Sequence, residues 1–169
     1  MIQRPFPQDT GAWIAWVRLV AVPFALLEVA IERGNYPPGD ERWAWAVTAV
    51  LAAGAVAFFL AGRCGAALPL PALAFDTVVV SAYVLVYSFE LGTPVRELLF
   101  LPVVEAGLRF GARGGLLAPL ACVPALALFE WRQADRLDLY PFDAGHVLGP
   151  FGLLVLVGLV VGTLADRAR

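Results

Sequence analysis

Four charged side chains lie in stretches otherwise built of Ala, Leu, Val and Phe: Arg18, Asp76, Glu105 and Arg109. Glu28 lies in such a stretch as well. An ionised group inside a bilayer costs several kcal/mol on most scales, so these positions stand out. Two acids and two bases can neutralise one another. Glu105 and Arg109 are four residues apart, which puts them on one face of a helix. Such a set has two uses. It can form a proton-sensitive or ligand-binding polar network, or it can lock helices together by salt bridges. A third reading has Arg18 and Arg109 snorkel to the headgroups. Tyr83 and Tyr87 follow Asp76 at seven and eleven residues, on the same helical stripe. That stripe is either a bundle-core face or one wall of a ligand site.

Other chemistries lack their residues. His146 is the only histidine, beside Gly145 at the start of an apolar run. A zinc site needs several ligands in reach, and neither a paired His nor a C-x-x-C is present, so no metal or cofactor is expected. His146 reads as an interfacial residue without a chemical role. Cys64 and Cys122 are solitary and read as ordinary small residues. No Ser sits in a nucleophile elbow. The run Gly111-Ala112-Arg113-Gly114-Gly115 lacks the Lys-Ser/Thr of a phosphate loop and reads as a sharp turn between helices. Catalysis by this chain is not expected.

The elements that must position the charges follow from composition. Of 169 residues, 60% are hydrophobic and 15% charged, against about half and a quarter in a soluble domain. Mean hydropathy is +0.77. A soluble domain of this length still exposes roughly 30% of its chain surface, which cannot be made polar enough from this composition. The excess apolar surface faces lipid. A net charge of −2 argues against nucleic acid as a partner. All twelve basic residues are Arg, to which we attach no function.

Crossing the hydrocarbon core takes about 20 apolar residues. Six segments come near this: Trp13–Ile31, Trp43–Ala61, Leu70–Phe89, Leu98–Phe110, Gly114–Trp131 and Val147–Ala165. The runs are continuous rather than alternating, so they read as helices. The expectation is an all-α polytopic membrane bundle of six transmembrane helices in one domain. Residues 1–12 form a cytoplasmic segment, 13–165 the bundle, and 166–169 the start of a cytoplasmic linker. The first segment is not a cleaved signal peptide, since it is long and contains Arg18 and Glu28. The fourth is short, and Pro102 near its middle reads as a break. Broken helices in membranes are buried or line a cavity, so this segment is expected away from lipid.

With the N-terminus inside, Arg4, Arg63, Arg109, Arg113, Arg167 and Arg169 fall on the inner side and Arg33, Arg42, Arg96, Arg132 and Arg136 on the outer. The excess of inner Arg gives the expected orientation, a multi-pass inner-membrane protein with both termini cytoplasmic. Arg18, Asp76, Glu105 and Arg109 then all lie toward the inner face. Gly158 and Gly162 form a G-x-x-x-G that permits close helix approach, either within the bundle or in a homodimer.

The run Leu101-Pro102-Val103-Val104-Glu105-Ala106-Gly107-Leu108-Arg109-Phe110-Gly111-Ala112-Arg113-Gly114-Gly115 resembles an L-P-x-x-E-A-x-x-R-[FY]-G-x-R-G pattern. That pattern recurs in the N-terminal membrane regions of bacterial sensor histidine kinases and diguanylate cyclases. Asp76 on the third helix, the link with Gly92, Thr93 and Pro94, and Arg18 on the first also fit, so the likeness covers about residues 13–169. It implies a sensory module whose last helix leads to a cytoplasmic signalling domain. No H-E-L-R-T-P-like or GGDEF-like motif is present, so the chain itself is not expected to carry the output. The alternative is a small-molecule binding or transport subunit. It would need a polar cavity near the midplane, whereas these charges gather toward one face.

Overall fold

The computed structural model describes residues 10–64, 68–89, 94–136 and 141–169. Among them the order is α1 (Thr10–Ile31), a 3-10 turn (Glu32–Gly34), α2 (Asp40–Arg63), α3 (Pro69–Val86), a 3-10 segment (Pro94–Leu99), α4 (Phe100–Arg136) and α5 (Ala144–Ala168), with no strand. Five helical stretches are long and apolar enough to cross a membrane. The chain is a multi-pass membrane protein by that measure.

Each boundary has a local cause. Pro69 opens α3 in the first turn, where its missing N–H is not needed. The Asp143 carboxylate accepts from the Gly145 N–H and caps the start of α5. Gly39, at φ 90°, supplies the left-handed turn into α2. Apolar side chains cover the outer faces, Phe24, Leu70, Val78, Leu117, Leu148 and Leu164 among them. That is the pattern of helices solvated by lipid rather than water.

One expectation changes here. The fourth and fifth apolar segments, spanned by the single label α4, are two helices that meet at a non-helical residue. The interruption falls at Gly111, not at Pro102. Gly111 has φ 69° and ψ −156°, a conformation that a side chain would strain. Pro102 instead sits in the first turn of α4, directly after the 3-10 segment, where it displaces no helical hydrogen bond. The chain doubles back at Gly111: a Cβ on Gly114 would stand 2.5 Å from the Ala106 carbonyl oxygen. In an uninterrupted helix those positions would be about 12 Å apart along the axis. We therefore treat α4 as a first arm, residues 100–110, and a second arm, residues 112–136.

The ends differ slightly from the sequence reading. α3 stops at Val86 rather than Phe89, and α4 runs on to Arg136, into what reads as a polar link. α5 continues helical through Ala168, so Asp166 to Ala168 of the stretch read as a linker belong to its last turn. Residues 1–9, Gly65, Gly92 and Thr93 lie outside the described residues, and so does Arg4.

α1 packs on α2, α2 on α3, α3 on α4, and α4 most extensively on α5. The core runs through Val29, Ala44, Val84, Tyr87, Leu99, Val103, Cys122, Phe129 and Leu154.

Candidate functional site

The four charges singled out by their apolar surroundings meet in one place. Arg18, from α1, is 6% exposed. Its Nε donates to both Asp76 carboxylate oxygens at 2.8 and 2.7 Å. Its Nη2 lies 2.6 Å from Asp76 Oδ2 and donates to Glu105 Oε1 at 2.8 Å. Arg109 Nε stands 2.8 Å from the same Glu105 oxygen, near enough for charge attraction but off the line of a hydrogen bond. The guanidinium of Arg18 also lies over the Phe58 ring of α2, 5.3 Å from its centroid. One arginine thus ties α1 to α3 and to the first arm of α4, with an aromatic face from α2 beneath it. Arg18 does not snorkel.

The set pairs two basic with two acidic side chains, and its geometry ties the helices together. A planar guanidinium forks onto two carboxylates from different helices, so moving either helix misaligns a charge-assisted bond. Adding or removing one proton or one ionic ligand changes its net charge in an apolar surround.

Tyr83 and Tyr87 lie at the other end of α3 and do not join this network. The Tyr83 hydroxyl donates to Glu28 Oε2 at 3.1 Å and stands 3.4 Å from the Tyr87 hydroxyl. The Tyr87 hydroxyl in turn meets that of Tyr36, in the loop between α1 and α2. Their rings pack edge-on or tilted, with Phe89 against Tyr36 and Tyr87. The stripe from Asp76 to Tyr87 therefore serves two separate polar groups. Burial pushes the Tyr36 hydroxyl well above its ordinary pKa, so it remains a protonated donor.

Gly158 and Gly162 are buried inside the bundle, against α4. They face Gly107, Gly111 and Gly115, a matching run at four-residue spacing on the two arms. A Cβ on Gly115 would sit 1.9 Å from the Gly158 oxygen, and one on Gly162 would sit 2.5 Å from the Gly111 oxygen. This close approach accounts for both glycines within one chain.

Several polar contacts had weak sequence signals. His146 has a partner: its Nδ1 lies 2.7 Å from Glu130 Oε1, joining the start of α5 to the second arm. Arg132 donates to the Leu85 carbonyl at 3.1 Å, and Arg136 lies 2.8 Å from Asp40 Oδ2. Asp166 Oδ2 accepts from the Ala112 N–H at 2.8 Å, and Arg169 donates to the Leu108 and Arg109 carbonyls at 2.8 Å each. The only hints were Glu130 and His146 at neighbouring segment ends, and an acid and a base three residues apart after the last apolar run. No group of His, Cys, Asp and Glu suited to a metal ion is found among the described residues.

No protein-family profile, no curated protein and no solved structure matches this chain.

Proposed function

We propose that the chain is a membrane-embedded sensory module that turns a membrane-borne cue into a displacement of α5. The observation that carries this reading is the buried Arg18–Asp76–Glu105–Arg109 network, which joins three helices through one guanidinium. A cue that favours one charge arrangement shifts the packing of α1, α3 and the first arm together, and it can do so only by binding two arrangements unequally. The resemblance of Leu101–Gly115 to the membrane regions of sensor kinases and cyclases points the same way. An output domain attached beyond α5, in this chain's assembly or on a partner, would read the displacement.

The topology that goes with this reading has six crossings and both termini in the cytoplasm. The contacts support the six alternating crossings by pairing helix ends; the cytoplasmic side rests on the distribution of Arg. Arg18 and Asp76, in the earlier halves of α1 and α3, meet Glu105, in the later half of the stretch 94–110. The Gly111 reversal then meets Asp166 at the end of α5. At the other end, Glu28 meets Tyr83, Arg136 meets Asp40, and Glu130 meets His146. Successive segments thus run up and down. The first arm alone is about 16 Å long, and the 3-10 segment before it adds roughly 12 Å. Together they approach the roughly 30 Å of the hydrocarbon core.

The test joins the catalytic region of a bacterial histidine kinase in helical register after Arg169 and measures autophosphorylation in isolated membranes. Arg18→Gln and Glu105→Gln should each move activity several-fold from that of the parent chimera at equal expression. Activity equal across all three contradicts the sensory reading, and a chain that instead conducts solute across proteoliposomes favours a transport subunit.

A further inference from the structure

The reversal at Gly111 breaks α4 inside the bundle and leaves helix-end groups of both arms without partners in their own helix. The first arm ends with free carbonyls. The second begins with free N–H groups. Both are met at the end of α5, by Asp166 in its last turn and Arg169 just after it. Asp166 accepts from Ala112, the first residue of the second arm, at 2.8 Å. Arg169 donates to the Leu108 and Arg109 carbonyls, the last turn of the first arm. The signs also fit, an acid at a helix start and a base at a helix end. Asp166 and Arg169 lie 3.9 Å apart, at the outer limit of an ion pair. Gly111 allows the approach, since a Cβ there would strike the Asp166 carboxylate at 1.9 Å.

This arrangement has a second connection. Arg109 gives its side chain to the charge network and its carbonyl to Arg169. One residue therefore belongs both to the Arg18–Asp76–Glu105 group and to the end of α5. The two contacts differ in strength of hold. The network is buried, whereas Asp166 and Arg169 are half exposed, so the latter pair is the part that can open.

We propose that Asp166 and Arg169 form a releasable clasp on the Gly111 reversal, through which the state of the Arg18–Asp76–Glu105–Arg109 network sets the position of the end of α5. Closed, the clasp fixes the last turn of α5 on both arms. Open, that turn is held only by apolar contact and glycine packing and is free to swing. The inference rests on the sensory reading for its use, but the clasp itself is a property of this chain alone.

The experiment needs no output domain, so a chain that signals nothing still passes or fails it. Spin labels are placed by Arg113→Cys and Arg167→Cys, both exposed, in the whole chain with Cys64→Ser and Cys122→Ala, reconstituted in lipid nanodiscs. Pulsed dipolar spectroscopy then gives the distance distribution between the second arm and the end of α5. The labelled parent should show one narrow distribution. Asp166→Asn and Arg169→Gln should each broaden it and move it to longer distance, and Glu105→Gln, which touches neither clasp residue, should do the same. Arg169→Gln alters an exposed side chain at the end of a helix and leaves the fold intact, so its result stands even if another variant misfolds. A distribution unchanged by Arg169→Gln shows that there is no clasp. One changed by Arg169→Gln but not by well-folded Glu105→Gln shows that the clasp is not coupled to the network. Either result overturns the proposal.

Discussion

Gly115 and Gly158 meet backbone to backbone: a Cβ on Gly115 would lie 1.9 Å from the Gly158 carbonyl oxygen, and one on Gly158 would lie 2.0 Å from the Gly115 oxygen. Neither side can yield by rotating a side chain. Lipid tails are as apolar as the helices, so close packing rather than the hydrophobic effect holds this pair together.

Gly158→Leu and Gly115→Ala should therefore lower the thermal stability of the purified protein, by at least the roughly 1–3 kcal/mol typical of overpacking. Gly149→Ala and Gly152→Ala, on the same α5 but with nothing within 4 Å, serve as controls. They should be neutral or gain up to about 1 kcal/mol from helix propensity. Thermal unfolding in detergent, followed by circular dichroism, separates the two pairs.

Arg18 bridges two carboxylates, whereas Arg109 contacts one. Arg18→Gln leaves Asp76 without its cation and Glu105 with only Arg109, and should cost about 3–5 kcal/mol, as breaking a buried pair does. Arg109→Gln keeps the interhelical bonds and should cost less than half as much. Equal losses in the same unfolding assay would mean that the fork onto α3 adds nothing.

The tyrosine chain makes a smaller claim. Tyr36→Phe removes one hydroxyl from the Tyr87–Tyr83–Glu28 series and keeps the ring contacts with Tyr87 and Phe89. The expected loss is about 1 kcal/mol, the usual net value of one hydrogen bond. Tyr36→Ala should lose more, because the ring packing goes too.

Topology has a direct readout. Cys64 is exposed at the end of α2, and Arg33 is exposed beyond α1. In intact cells a membrane-impermeant maleimide should label Arg33→Cys but not Cys64. Breaking the cells should expose Cys64. The reverse pattern would place the charge network at the outer face.

Much of the charge network is legible in the sequence because a charge in an apolar run is expensive wherever it points. Arg18, Asp76, Glu105 and Arg109 stand out for that reason alone, and the four-residue spacing of the last two adds their pairing. The break in α4 is harder to place. Pro102 is the obvious breaker, but a proline does no damage in a first turn, and only the 3-10 segment ending at Leu99 puts it there. Gly111 to Gly115 reads as a turn, yet Ala112 to Gly115 are helical once α5 caps the second arm. That cap comes from Asp166, 54 residues away. Local pattern carries no trace of such a partner, and charged residues after an apolar run read as a solvated exit. Gly158 and Gly162 leave packing and dimerisation open for the same reason, since their matching run on α4 is interrupted by the reversal.

Coupling between the charge network and the end of α5 is tested most directly by a double-mutant cycle on residues that do not touch. The unfolding free energies of wild type, Arg18→Gln, Asp166→Asn and the double variant are measured in one detergent. Independent sites add within about 0.3–0.5 kcal/mol. If Arg109 links the network to the clasp, the double variant should lose less than the sum of the singles, by about 1 kcal/mol or more, within the range seen for coupled residues. A strictly additive cycle, with both singles folded and destabilised, would contradict a network that governs the end of α5.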